Sequence, residues 1–157
     1  MSTTKTILVL ALCAGCGAGI RQIDTSKPAN GGELTLHAAF SPDPARLSGR
    51  AIGEREVTYE ETDTGACRGW VSRNPDHYMK LEDRFDYLDV QVVAGSDTTL
   101  VIDGPEGRFC SDDQQAGNRN PRVQGYFREG DYAIRIGTTA SGETADYQIY
   151  FSQSEPM

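Results

Sequence analysis

Few side chains in this chain could do acid–base or nucleophilic work. Its 157 residues include two histidines, His37 and His77, and four cysteines, Cys13, Cys16, Cys67 and Cys110. Hydrolysis by a serine, histidine and aspartate set needs a histidine held beside a nucleophile. The sequence contains neither GxSxG nor HExxH, so the main hydrolase signatures are missing. His37 falls between Leu36 and Ala38 at a polar phase of an alternating stretch, which predicts a solvent-facing strand residue. His77 follows Asp76 after Asn74-Pro75. Turn capping by the aspartate is the plain account there and a pH-sensitive contact the sharper one, with a hydrolase using His77 and Asp76 as the enzymatic alternative. The expectation is a chain with no catalytic residues that needs no cofactor.

Metal binding is the second chemistry to weigh. Calcium takes six to eight oxygens from carboxylates, amides and carbonyls, which loops rich in Asp and Asn supply. Asp112, Asp113, Asn118 and Asn120 lie in one such loop, and Asp97 and Asp103 flank the preceding strand. These six make a candidate calcium set, although their spacing is not that of an EF-hand loop. Stacking on sugar or peptide is the third, with Tyr78, Tyr126 and Tyr150 as a candidate exposed face. Cross-strand packing is the ordinary role for aromatic residues on strands.

The cysteines divide by position. Met1 to Thr6 is polar with one positive charge at Lys5, Ile7 to Leu12 is apolar, and Cys13-Ala14-Gly15-Cys16 follows. That order is a signal peptide over 1–15, and its apolar run is too short for the roughly 20 residues a bilayer span needs. Ala14-Gly15-Cys16 resembles the lipobox of bacterial lipoproteins, with Cys13 where that box usually has leucine. The resemblance implies lipidation of Cys16 and a membrane anchor, and the departure at Cys13 leaves ordinary secretion as the alternative. Residues 16–32, rich in Gly, Ser, Thr, Pro and Asn, read as a flexible tether. Cys67 and Cys110 then remain as an even pair in an oxidising compartment, which predicts a disulfide.

These residues must be positioned by strands. Leu34 to Phe40, Arg46 to Gly53, Glu54 to Glu60, Cys67 to Ser72, His77 to Glu82, Tyr87 to Ala94, Thr98 to Asp103, Arg108 to Cys110, Val123 to Phe127, Tyr132 to Ile136 and Tyr147 to Phe151 carry short β patterns. Gly and Pro turns divide them, Gly104-Pro105-Glu106-Gly107 among them. No window keeps apolar spacings of three and four long enough for a helix. The fold class that follows is all-β, a jelly-roll-like antiparallel sandwich over 33–152 with a short tail at 153–157. Its formal net charge of −8 lacks the basic footprint of a nucleic-acid binder.

A recurring order of residues carries a family likeness. It runs from Phe40 and Pro42-Asp43-Pro44 through Cys67 with Gly69, Pro75-Asp76-His77, Phe85 with Tyr87-Leu88, DTTLV at Asp97 to Val101, and GPEG at Gly104 to Gly107. Cys110, Asp112-Asp113, Asn120-Pro121, Gly125 with Phe127, then Gly130, Tyr132, Ile134 and Gly137 complete it. Together these resemble a secreted bacterial β-sandwich module related to the pre-peptidase C-terminal domain. The resemblance implies a non-catalytic accessory module that meets a protein or carbohydrate surface at the cell envelope. A calcium-stabilised scaffold or adhesion domain is the alternative it leaves open. The family usually accompanies an enzyme domain, and this sequence carries none.

Overall fold

The computed structural model describes residues 21–113 and 117–154. The signal peptide, Cys16 and the start of the tether lie outside those residues. The described residues form thirteen strands and no helix. They are β1 (Glu33–Leu36), β2 (Ala45–Ile52), β3 (Arg55–Glu56), β4 (Glu60–Thr62), β5 (Gly65–Cys67), β6 (Trp70–Val71) and β7 (His77–Leu81). Then come β8 (Phe85–Ala94), β9 (Thr98–Gly104), β10 (Gly107–Ser111), β11 (Arg122–Phe127), β12 (Gly130–Thr138) and β13 (Thr144–Ser152).

A four-stranded sheet, β11-β8-β13-β2, faces a seven-stranded one centred on β12. In the larger sheet β9 flanks β12 on one edge and carries β10 beyond it, while β7 and β6 share the other edge in series. Consecutive strands pass back and forth between the sheets, as a jelly-roll-like sandwich requires. Among the described residues the one parallel ladder is β1 on β7. Alternation explains the core, because successive strand residues point to opposite faces. Leu88, Val90 and Val92 of β8 and Tyr147, Ile149 and Phe151 of β13 meet Leu100 and Ile102 of β9 and Tyr132, Ile134 and Ile136 of β12. Gly104 has a specific reason to be glycine, since a Cβ there would overlap the Tyr132 ring. That ring is fully buried, and its hydroxyl donates to the Arg128 carbonyl at 2.8 Å and lies within bonding distance of the Glu106 carboxylate.

Three expectations need correction. Cys67 to Ser72 is not one strand, because Gly69 takes φ +94° and splits it into β5 and β6. Leu34 to Phe40 pairs only as far as Leu36; Phe40 is buried from a loop, ringed against Phe85. Glu54 to Glu60 contributes only β3 and the first residue of β4. The stretch read as a free tether also makes contacts over its described part. The Asn30 and Gly31 amides donate to the Pro75 and Asp76 carbonyls at 2.9 and 2.6 Å, and the Arg21 amide reaches the Pro105 carbonyl at 3.4 Å. Residues 21–32 therefore run along the outer face of the larger sheet.

The disulfide joins Cys67 and Cys110 with their Cα atoms 5.1 Å apart. Cys110 is on β10, the return arm of the β9–β10 hairpin, as the sequence predicts. Cys67 ends β5 rather than sharing a strand with Trp70. The bond holds the β4–β5 hairpin over the outer face of the larger sheet, where both cysteines, Val71 and Val101 form a second small core.

Candidate functional site

The outward-pointing residues of the larger sheet build a groove whose floor is charged. Asp103 of β9 lies opposite Arg108 of β10 on one side and Ala133 of β12 on the other. Arg135, two residues further along β12, sits on the diagonal from Asp103, within reach of a long side chain. The Asp103 carboxylate is 4% exposed and takes three guanidinium partners. Arg108 reaches it through Nε at 2.8 Å and Nη2 at 3.3 Å, Arg135 through Nη1 at 3.2 Å, and Arg21 through Nη1 at 3.2 Å.

Two cavities open on this cluster and share Asp103 and Arg135 as a common wall. The larger, about 270 Å³, lies between residues 21–27 and the 73–75 loop, with Tyr78 and Ala133 below. The smaller, about 130 Å³, lies between Arg55 to Thr58 and the β9–β10 pair. Arg21, Lys27, Arg55, Arg73, Arg108 and Arg135 line them, against Asp24, Glu56 and Asp103. Six basic side chains face three acidic ones, in a chain whose formal net charge is −8. Burial lowers the Arg135 pKa; Asp103 opposes this, and the cations Arg55 and Arg108 add to it. Its Nε is buried and has no hydrogen-bond partner among the described residues. The arrangement can hold an oxyanion by charge-assisted bonds.

The sequence-predicted sites fare differently. Asp76 and His77 are adjacent and buried, but each is already committed. The Asp76 carboxylate accepts from the Ile136 amide at 2.8 Å, the Ser72 hydroxyl at 3.1 Å and the Asn30 side-chain amide at 3.4 Å. It fills the gap between β6 and β7, where β12 would otherwise present an unpaired N–H. Burial pushes its pKa up to about 6 against those hydrogen bonds. His77 is fully buried, and its Nε2 meets the Tyr147 hydroxyl at 2.8 Å. Burial lowers its pKa, and its Nδ1 is buried with no hydrogen-bond partner among the described residues. Local turn capping by Asp76 is corrected: the backbone N–H it accepts belongs to Ile136, sixty residues away on β12. His37 is exposed just beyond β1, its Nδ1 at 2.8 Å from the Ala38 carbonyl.

The six residues of the candidate calcium set are not brought together. Asp103 belongs to the arginine cluster, at the opposite end of β9 from Asp97, about 20 Å along an extended strand. Burial raises the Asp112 pKa and the Asp113 and Asp97 charges add to it, with Arg68 opposing. The Asn118 side-chain oxygen accepts from the Asn120 amide at 3.2 Å, and that of Asn120 from the Ala94 amide at 2.9 Å. No group of three or more His, Cys, Asp or Glu side chains placed to hold a metal occurs among the described residues.

The tyrosines do not share a face. Tyr78 is buried on β7 of the larger sheet, its hydroxyl donating to the Asp24 carbonyl at 3.1 Å. Tyr126 and Tyr150 point outward from the four-stranded sheet. Tyr126 and Val93 are among its exposed side chains, and Tyr150 lines a shallow hollow of about 320 Å³ with Pro44, Gln91 and Val93.

Sequence reasoning missed the basic groove. Its one local signal was the alternation of Tyr132 to Ile136, which placed Ala133 and Arg135 toward solvent; the N-terminal segment covers that face, so Ala133 is 4% exposed.

No family model matches the chain. An uncharacterized protein of Synechococcus elongatus is 34% identical over 88 residues, a match that takes in 54% of this chain. The match spans 63% of that relative's length, less than two thirds. Among solved structures, a periplasmic inhibitor of g-type lysozyme from Aeromonas hydrophila aligns at a TM-score of 0.43 with 15% identity, covering 77% of this chain and 97% of the inhibitor. The pre-peptidase C-terminal domain of a Bacillus anthracis collagenase aligns at 0.42 with 12% identity, covering 80% of this chain and 96% of that domain.

Proposed function

We propose that this protein is an exported, non-catalytic binding module of the bacterial cell envelope, anchored by lipid at Cys16 and meeting a protein or carbohydrate surface. The observation that carries the reading is the buried Cys67–Cys110 bond. Disulfides of this structural kind persist where the compartment is oxidising, and this one follows an N-terminus with the order of a secretory signal. The commitment of Asp76 to the sheet and of His77 to Tyr147 supports a binding role over hydrolysis. The outer face of the four-stranded sheet, with Tyr126 and Tyr150, is the surface offered to a partner.

The test is fractionation of the producing bacterium together with crosslinking. The native chain should stay with membranes washed in high salt, and a Cys16→Ala variant should not. A photoreactive residue at position 126 should capture one envelope protein or glycan. Recovery of the native chain from the cytoplasm with both thiols free would overturn the reading.

A further inference from the structure

The basic groove lies where the chain enters the fold, and that placement suggests its ligand. Arg21 is fixed to Asp103 through its side chain and to Pro105 through its backbone. Five peptide units separate Arg21 from Cys16, a reach of at most about 18 Å even when fully extended. A lipid on Cys16 therefore holds the groove within that distance of the bilayer's headgroup layer. The sequence alone suggests a tether of seventeen residues and a domain free to stand off; docking of residues 21–32 removes that freedom.

The lining of the larger cavity suits a phosphoryl group. Lys27 and Arg73 are exposed on its rim, with no carboxylate within ion-pair distance among the described residues. Arg135 forms part of its inner wall, and the buried Nε lacks an acceptor. Four cations, Arg21, Lys27, Arg73 and Arg135, line this cavity against two carboxylates, Asp103, which its arginines saturate, and Asp24, whose charge acts on Lys27, so a cationic surplus remains. The chain as a whole, at −8, is repelled by an anionic membrane. Screening over about 10 Å at 0.1 M salt makes the nearest charges decide, so this cationic face is attracted and orients the domain.

We infer that the Arg21–Lys27–Arg73–Arg135 groove binds the phosphoryl headgroup of anionic phospholipid in the membrane that carries the anchor. The choice of membrane lipid as the source rests on the lipid-anchor reading. The groove then makes a second attachment, turning the larger sheet toward the bilayer and leaving the four-stranded sheet facing outward.

The test uses the exported Cys16→Ser chain, its signal removal confirmed by mass, so that no acyl chain contributes. It is titrated with vesicles of phosphatidylglycerol and, separately, of phosphatidylcholine. Binding should require phosphatidylglycerol and fade as salt rises. A Lys27→Ala/Arg73→Ala variant should bind about 30-fold more weakly, at roughly fivefold for each basic residue near a headgroup layer. Both side chains are exposed, so an unchanged thermal melt would show that the fold is intact. Equal binding to the two vesicle types, or no loss in the double variant, would overturn the inference. So would saturation by free glycerol phosphate with no affinity for either vesicle, which would assign the groove to a soluble anion. Fatty-acid labelling of the native chain separately tests the anchor, so failure of one reading is distinguishable from failure of the other.

Discussion

Replacing Asp76 with asparagine should stabilise the protein at neutral pH, although the residue is buried and makes several hydrogen bonds. Burial raises its folded-state pKa from 3.8 to about 6. Well below pH 4 the carboxyl is protonated in both folded and unfolded chains and costs nothing. As pH rises toward 6 the unfolded chain releases the proton while the folded one keeps it, so stability falls across that window and the full penalty persists above it. The gap between 3.8 and about 6, at 1.36 kcal/mol per pH unit, amounts to about 3 kcal/mol. Asparagine keeps an oxygen for the Ile136 amide and removes the charge. Urea unfolding of both proteins at pH 4, 5, 6 and 7 gives the stability difference at each pH, and other carboxylates cancel in that difference. The Asn variant should gain about 2.4 kcal/mol on wild type between pH 4 and pH 7, since part of the penalty is already present at pH 4. A flat difference, or one that favours wild type increasingly as pH rises, would refute the account of a reluctantly ionised carboxyl. An Asp76→Ala variant should instead lose about 1 to 3 kcal/mol near pH 4, because the buried Ile136 N–H is left without an acceptor.

Three further outcomes follow from the packing. A Cys67→Ala/Cys110→Ala variant should lose about 4 kcal/mol, the chain-entropy value for a 43-residue separation, and denaturant midpoints at constant m would measure it. Gly104→Ala should cost about 1 to 3 kcal/mol, because the added methyl must displace the fixed Tyr132 ring; a melt within a degree of wild type would show that the ring has room to move. Removing calcium with a chelator should leave the melting temperature unmoved, since Asp103 pairs with arginines and the two asparagine oxygens cap backbone amides. A rise of several degrees on adding calcium would restore Asp97, Asp112 and Asp113 as ligands.

The long strands were legible because each buries one face against the opposing sheet, and burial writes a period of two into Leu88–Val92, Leu100–Ile102, Tyr132–Ile136 and Tyr147–Phe151. The disulfide was legible from compartment and parity. The pieces that were not legible bury little apolar surface of their own. β3 and β6 are two residues each, too short for any period. Residues 21–32 are held by backbone hydrogen bonds and the Arg21 ion pair, which leave no hydrophobic pattern, so polar composition suggested a free tether. The groove draws its cations from positions between 21 and 135, on strands and on irregular segments alike. Only the register that sets Arg108 opposite Asp103 and Arg135 on its diagonal assembles them. Asp76 looked like a local turn cap because the N–H that it satisfies belongs to a strand sixty residues downstream.

The central claim, an exported and lipid-anchored binding module, is tested most directly by one intact mass. The native protein is taken from its own bacterium, alkylated without reduction and weighed. A chain beginning at Cys16, heavier than its residues by a lipid and carrying no alkyl group on Cys67 or Cys110, is the predicted result. A chain that retains residues 1–15, or that carries two alkyl groups and no lipid, would contradict it.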